Sequence, residues 1–319
     1  QANGSCVVRC GETVVMVNTV MSEKPRDGMD FFPLSVDFEE KLYAVGKIPG
    51  GFNKREGKAS ENAILTSRVI DRPMRPLFPK DYRNDVGIVT TVMSVDIDNS
   101  PEICAMNGAS IAISISEMPF AGPVGAVIVG LVDGEFVINP TLEQREKSEM
   151  SVTVAGTRQK VVMIEAGANE VPESVMLDAI MLAHEEIKKV CDFIESIVAE
   201  VGKPKFEYPS AEIDHDLYDA VYNFCAEDVK VALDTDDKRI RDERLLPVYD
   251  AVHAKFDEVY PELIEKIDEC LYKLQKYVVR RWLLDDGKRV DGRGINDMRP
   301  LDAQVDLLPR THGSGMFTR

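Results

Sequence analysis

The 319-residue sequence contains one tryptophan, four histidines and no long hydrophobic run. No uncharged apolar stretch reaches the ~18 residues that a membrane helix needs, so the sequence predicts no membrane span. The first five residues, QANGS, carry neither a basic nor an apolar region, and they predict no secretory signal peptide.

Cysteine usage is sparse, with six residues at positions 6, 10, 104, 191, 225 and 270. A zinc site at Cys6 and Cys10 needs a second ligand pair, and none of the four histidines stands at ligand spacing. The pattern favours buried free thiols in a cytoplasmic protein. If a strand begins near Cys6, both cysteines share one of its faces, because their spacing is even.

The formal charge is −17 with a pI of about 4.8, which by itself argues against a nucleic-acid partner. The charge is unevenly distributed, however. Residues 41–83 hold ten basic and four acidic residues, a net +6 that leaves −23 for the rest of the chain. Residues 205–269 hold 19 acids and eight bases, a net −11. A polyanion is attracted to local charge within a Debye length of about 10 Å, so the basic stretch remains a candidate contact.

Residues 1–165 show strand patterns with two short helical elements. Strands are predicted at 13–20, 86–95, 151–155 and 161–165, and Asp133-Gly134 predicts a hairpin that joins 124–132 to 135–138. Asn99-Ser100-Pro101-Glu102 predicts a helix start, and the small residues that follow predict close packing on a sheet.

The second half is predicted to be mainly helical. Residues 172–201 form one long amphipathic helix, and the next ~80 residues keep a helical pattern up to Asp285-Asp286-Gly287. A strand-like pattern then returns, which predicts α+β, all-α and α+β parts in that order.

Residues 48–57, IPGGFNKREG, form a segment that we call the basic loop. Its glycines free the backbone, while a ring and two cations are suited to a base and to phosphates. The alternative is a solvated surface loop with Phe52 tucked inward. The sequence does not choose between these alternatives.

Arginines cluster in residues 68–76, RVIDRPMRP, where two prolines disfavour a regular helix through 72–76. Guanidinium groups bind phosphate in a bidentate manner, which leaves Arg68 and Arg75 open to ligand roles. For Arg72, the adjacent Asp71 favours a local ion pair. Near the C-terminus, Gly313-Ser314-Gly315 lies beside basic residues and could wrap a phosphate, but the pattern favours a plain turn. His312 could act as an acid or a base, but without an identified partner a hydrogen-bonding role is favoured. No nucleotide-binding glycine motif, nucleophile elbow or EF-hand loop is present.

Taken together, these segments resemble the polynucleotide phosphorylase family. The likeness extends over the whole chain, and its longest runs are FFPL at 31–34, KIPGGF at 47–52, IDRPMRPLF at 70–78, NDV at 84–86, DNSP at 98–101, AMNGAS at 105–110 and residues 307–319.

The resemblance implies an α+β fold: a ribonuclease PH-like core, of the ribosomal protein S5 domain 2-like type, in residues 1–203. An all-α helical linker domain at 204–285 and the beginning of a second, truncated ribonuclease PH-like core at 286–319 follow it.

It also implies a polyribonucleotide nucleotidyltransferase that acts in mRNA degradation. Phosphate attacks the 3′-terminal linkage of single-stranded RNA and releases nucleoside diphosphates, and a cytoplasmic homotrimer threads the RNA through a central pore. Inorganic phosphate is the co-substrate, and Mg²⁺ is expected to bind ligands beyond residue 319. Nothing in the sequence signals DNA or a membrane as partner.

The family pattern places Arg319 among the active-site arginines and the basic loop at the pore. The RNA-binding candidates are Phe52, Lys54, Arg55, Lys58, Arg68, Arg72 and Arg75. The chain has Asn53 and Lys54 where the family has a second aromatic and an arginine. With no complete catalytic site and no metal ligands in this span, the isolated chain is expected to be inactive. The alternative function is a non-catalytic module for RNA binding and trimer assembly.

Overall fold

A computed structural model describes residues 2–26, 28–52 and 54–319, with the side chain of Glu265 excepted. The chain divides into two compact units, Gln1–Ala211 and Glu212–Arg319. The finer division at 203/204 and 285/286 stays a prediction. Among the helices described, none is both long and apolar enough to cross a membrane.

The first unit begins with a four-stranded sheet in the order β1-β2-β4-β3. Its strands are β1 Gly4–Cys10, β2 Thr13–Met21, β3 Leu34–Glu40 and β4 Val86–Ser94. Strands β3 and β4 are parallel, and helix α1 (Glu61–Met74) connects them. The other pairs are antiparallel. Cys6 and Cys10 contact Gly108 and Asn99 respectively, so they lie on one face of β1, as predicted.

Helix α2 (Pro101–Ile115) packs very closely on this sheet. It begins after Ser100, whose Oγ accepts from the N–H of Ile103 at 3.4 Å. A Cβ added to Gly4 would lie 1.9 Å from the carbonyl oxygen of Ala112. A side chain at Gly4 would therefore separate β1 from α2, and the predicted close approach is confirmed.

A second sheet of four antiparallel strands has the order β6-β5-β7-β8. Its strands are β5 Gly125–Val132, β6 Glu135–Ile138, β7 Met150–Gly156 and β8 Val161–Ala168. The predicted hairpin is confirmed, with Asp133 and Gly134 at φ of +52° and +80°. Helix α3 (Leu142–Lys147) is short, whereas α4 (Glu173–Val201) covers the sheet with Ala179, Ala183 and Ile187.

The sequence underestimated the helical content before residue 165. Among the residues described there, the structure has three α-helices rather than two helical elements, and α1 continues through Pro73 to Met74 before a 3-10 turn at Arg75–Leu77. Pro73 is buried and closes the last turn of α1, where the missing N–H removes a single hydrogen bond. The prolines were expected to disfavour a regular helix through 72–76; α1 runs into this stretch as far as Met74, and the remainder is the 3-10 turn.

The second unit consists of helices that share one buried core, followed by a short hairpin. Its helices are α5 His215–Leu233, α6 Lys238–Phe256 and α7 Ile264–Asp285, and its strands are β9 Asp302–Val305 and β10 Gly315–Thr318. Leu217, Val221, Leu271 and Leu274 are fully buried between the helices. The predicted helical region and the return of strands after residue 285 are both confirmed.

Candidate nucleic-acid interface

The basic loop leaves the first unit from a fixed turn. Residues Leu42–Val45 form a 3-10 turn that ends at Gly46, whose φ is +69°. The N–H of Lys47 donates to the carbonyl of Leu42 at 2.9 Å. Beyond it, a Cβ added to Gly50, Gly51 or Gly57 would meet no atom within 4 Å. The loop therefore stands clear of the protein on which it is anchored.

Phe52 is fully exposed at the tip of this loop, at 102% of the reference accessibility. The alternative in which Phe52 tucks inward is therefore wrong. Lys54 adopts φ of +49° and donates its N–H to the carbonyl of Gly51 at 3.0 Å, which closes a tight turn next to the ring. Asn53, which stands where the family pattern has a second aromatic residue, lies outside the described residues.

The cations of this region are exposed and uncompensated. Within residues 2–26, 28–52 and 54–319, none of Lys54, Arg55 and Lys58 has a carboxylate partner. The carboxylate of Glu56 instead accepts from the N–H of Leu42 at 3.0 Å, so it turns back toward the anchoring turn. An aromatic ring and three available cations thus face solvent together.

Helix α1 fixes the other end of the loop. The Oγ of Ser60 accepts from the N–H of Ala63 at 3.0 Å and donates to Glu40 at 2.6 Å. The outer face of α1 carries Ile64 and Leu65, which are about half exposed, and Arg68. Arg68 has no ion-pair partner among the described side chains, and it remains a candidate for phosphate contact.

The guanidinium groups of Arg72 and Arg75 bind partners within the protein. The guanidinium of Arg75 binds both carboxylate oxygens of Asp71, at 2.9 and 2.7 Å, and donates to the carbonyls of Phe32 and Leu34 at 3.0 and 3.1 Å. Arg72 pairs with Glu165 of β8 at 2.8 Å.

The expected pair between Asp71 and Arg72 is therefore wrong. Because α1 continues to Met74, the residue on the same face as Asp71 is Arg75, one turn later, while Arg72 points about 100° away around the helix. RNA contacts by Arg72 and Arg75 stay predictions, and each would have to compete with the internal partners.

Arg319 follows directly after β10 and is exposed. The Oγ of Ser314 accepts from the N–H of Leu308 at 2.9 Å, and Gly315 already belongs to β10. The turn of this loop lies at Pro309 and Arg310, so the plain turn expected at Gly313-Ser314-Gly315 is wrong. The catalytic role of Arg319 stays a prediction. His312 is exposed, and no side-chain partner for it lies among the described residues.

The buried thiols and the acidic and histidine side chains were the remaining candidates for a reactive or metal-binding site. Burial raises the pKa of the Cys104 thiol to about 12 and that of Cys191 and Cys225 to about 11, so these thiols stay protonated near neutral pH. Among the residues with described placement, no group of three or more His, Cys, Asp or Glu side chains is positioned to hold a metal. The Mg²⁺ ligands that the family resemblance places beyond residue 319 stay a prediction.

A cleft of about 820 Å³ lies between α1, the start of α2 and the second sheet, and no sequence motif predicted it. Its charged side chains are Asp96, Glu102, Arg145 and Glu165. Arg145 donates to the carbonyls of Pro140 and Ile97, and Glu165 holds Arg72. The only signal in the sequence was the helix start at 99–102. Since these internal contacts engage Arg145 and Glu165, we assign the cleft no ligand.

Three family models match the chain. The 3′ exoribonuclease family matches with its domain 1 at residues 1–119 and its domain 2 at residues 122–186. The RNA binding domain of polyribonucleotide nucleotidyltransferase matches at residues 216–294.

Curated relatives match the chain over its full length. The polyribonucleotide nucleotidyltransferases of Ruminiclostridium cellulolyticum and Lachnoclostridium phytofermentans are 60% and 57% identical to it, and each aligns with all of this chain. The chain belongs to the polyribonucleotide nucleotidyltransferase family. It spans 45% and 46% of the length of these two members.

A solved structure supports the fold of the first unit. Rrp46 from rice (Oryza sativa) superposes with a TM-score of 0.51 at 14% identity, covering 62% of this chain and 89% of the rice chain. At this identity the likeness concerns the fold alone. It agrees with the predicted ribonuclease PH-like α+β fold, which the family models also support.

Proposed function

We propose that this chain is the RNA-handling, N-terminal part of a phosphate-dependent 3′→5′ exoribonuclease, a polyribonucleotide nucleotidyltransferase. The observation that carries the proposal is the basic loop, which presents a fully exposed phenylalanine beside unpaired cations in a chain whose relatives bear that name. In the reaction, a phosphate oxygen attacks the 3′-terminal phosphorus. The bond from phosphorus to the preceding 3′ oxygen breaks, that oxygen takes the proton of the attacking hydrogen phosphate to become the 3′ hydroxyl of the shortened RNA, and the terminal nucleotide is released as a nucleoside diphosphate.

The loop is suited to a single strand rather than to a duplex. A ring on a clear backbone stacks on an unpaired base of any sequence, and such stacking contributes about 1–3 kcal/mol per base. Lys54, Arg55 and Lys58 then lie near the flanking phosphates, where each contact releases a counterion. Arg68 extends this cationic surface along α1.

We place the chemistry outside residues 1–319. The described side chains offer no metal cluster, and Arg319 is the one active-site arginine expected here. Magnesium and the remaining phosphate-binding groups would then come from the portion that the relatives carry and this chain does not match. The alternative, a non-catalytic module for RNA binding and assembly, predicts the same RNA contacts for this chain.

Assembly as a homotrimer and a cytoplasmic location belong to the same proposal. Exposed apolar side chains lie in or beside the basic loop, among them Tyr43, Ile48 and Leu65, and contact with further copies would bury them. All six cysteines are free thiols, which is typical of a reducing compartment.

Binding of fluorescent poly(A) to this chain across a salt series tests the proposal. Replacement of Lys54 and Arg55 by glutamine should weaken binding and reduce the slope of log K against log[salt] by about 1.4, at roughly 0.7 per phosphate contact. The control replaces Lys188 and Lys189, which pair with Glu185 and Glu186 on α4, and should leave the slope unchanged.

Unchanged affinity in the loop variant would reject the loop as the contact. Incubation of the chain with poly(A), Mg²⁺ and phosphate tests where the chemistry lies. We expect no nucleoside diphosphate, and its release would show that residues 1–319 contain a complete active site.

A further inference from the structure

Helix α7 carries a basic stretch that the acidic charge of its neighbourhood conceals. Residues 270–284 contain Lys273, Lys276, Arg280 and Arg281 and no acidic residue, although residues 205–269 have a net charge of −11. Lys273, Lys276, Tyr277 and Arg280 follow the spacing i, i+3, i+4 and i+7, which places them on one side of the helix.

The opposite side of α7 is packed, so this face has a fixed position. Leu271, Leu274 and Val278 are buried against α5 and α6. The outward side chains Tyr272 and Tyr277 are 56% and 45% exposed. Their backbone belongs to one continuous 22-residue helix, so rings and cations are held at set distances. From Lys273 to Arg280 the helix rises about 10 Å at 1.5 Å per residue.

The cations on this face are available to a ligand. Lys273, Lys276 and Arg280 have no carboxylate partner in the described part of the chain, whereas Arg281, at the edge, pairs with Asp285. The nearest acids on the same helix are already engaged, since Glu269 pairs with Lys266 at 2.9 Å and Asp268 binds His253 at 3.1 Å.

Aromatic rings alternate with these cations. The Nζ of Lys276 lies 4.1 Å from the ring centroid of Tyr272, and the Nζ of Lys273 lies 4.9 Å from that of Tyr218 on α5. Tyr277 meets Tyr222 of α5 edge to face, with centroids 5.9 Å apart. Rings supported from one side and open on the other can stack with a base, while ammonium and guanidinium groups beside them meet phosphates.

We propose that Tyr272, Lys273, Lys276, Tyr277 and Arg280, the α7 basic face, bind single-stranded RNA at a second site, separate from the basic loop in the sequence. The inference rests on the proposed function and deepens it: α7 lies within residues 216–294, which the RNA binding domain model matches, and the new element is the face and the residues that make the contact. The charge pattern favours RNA over a protein partner, because the exposed rings are separated by cations and form no continuous apolar patch.

The test uses the full 319-residue chain and fluorescent poly(A) in a salt series. The triple replacement K273Q/K276Q/R280Q should reduce the slope of log K against log[salt] by about 2, and Y272A should weaken binding at least about fivefold. The control K230Q/R239Q/K288Q removes the same charge from the same unit, at positions where the three cations pair with Glu227, Glu243 and Asp234. It should leave the slope unchanged.

An unchanged slope in the α7 triple variant, with a wild-type circular dichroism spectrum, would overturn the inference. If the triple variant loses helical structure, the single variant R280Q provides the test, with an expected slope change of about 0.7. A change in self-association alone, measured by sedimentation with RNA affinity intact, would assign the face to a protein contact and also overturn the inference.

The outcomes for the two proposals are distinguishable. If the wild-type chain does not bind poly(A), the proposed function fails. If the wild type binds and K54Q/R55Q weakens binding while the α7 variants do not, only the further inference fails.

Discussion

The basic segment 41–83 and the acidic helical segment 205–269 have net charges of +6 and −11, yet neither number describes what a ligand would meet. In the basic segment, Arg75 is held by Asp71 and two carbonyls and Arg72 by Glu165, while Lys54 and Arg55 remain open. In the acidic segment, Asp214 and Asp237 accept backbone N–H groups at the starts of α5 and α6.

Pairing, rather than net charge, thus decides which side chains are available. Charge that is satisfied within the protein stabilises the fold and contributes little to recognition. Charge that lacks a partner can release counterions when a polyanion binds.

Replacement of Arg75 by alanine should reduce the free energy of unfolding by about 3 kcal/mol. It removes a two-pronged, partly buried ion pair with Asp71 and leaves the carbonyls of Phe32 and Leu34 without their donor. Urea denaturation measures the change. The matched control is Arg68→Ala on the same helix, expected to change stability by less than about 0.5 kcal/mol. Equal effects of the two substitutions would remove the distinction between paired and open cations.

Replacement of Phe52 by alanine should weaken poly(A) binding by about 2 kcal/mol and leave the unfolding transition where it is. The ring is fully exposed, so it contributes no packing that the substitution could remove. Fluorescence anisotropy at fixed salt measures the affinity, and Phe52→Tyr, which keeps the ring, should bind like the wild type. A loss of stability without a loss of affinity would show that the ring packs rather than stacks.

The smallest expected effect concerns His253, which ties α6 to α7. Hydrogen bonds to Asp257 at 2.8 Å and Asp268 at 3.1 Å raise the pKa of His253 above its usual 6.5. Because the pKa is higher in the folded state, the stabilisation is fully present below pH 6.5 and is lost as the pH rises through the folded value. The free energy of unfolding of H253Q should therefore be about 0.5 kcal/mol below that of the wild type at pH 5.5, and the difference should be smaller at pH 8.5.

Urea denaturation at both pH values measures that difference. His215→Gln, at the exposed start of α5, serves as the control and should follow the wild-type pH profile. If the free energy of unfolding of H253Q is below that of the wild type by the same amount at both pH values, His253 stabilises the protein by packing and not by charge.

Much of the fold was predictable from local patterns. Asp133-Gly134 specifies its own hairpin, because a tight turn needs positive φ at both positions and these residues adopt it. Ser100 and Pro101 specify the start of α2 in the same local way. Helix α1 was missed because Pro73 is unfavourable by propensity, while the buried side chains of Ile70 and Met74 keep the last turn in place.

In the candidate site too, local sequence accounts for some features and tertiary packing for the others. The sequence by itself determined that residues 48–57 form a glycine-rich, cationic loop with one aromatic residue, since composition and turn chemistry act locally. Only the tertiary structure decided that Phe52 points outward and that Arg72 is occupied. The partner of Arg72, Glu165, is 93 residues away on β8, and a contact over that separation arises from packing that no local pattern encodes.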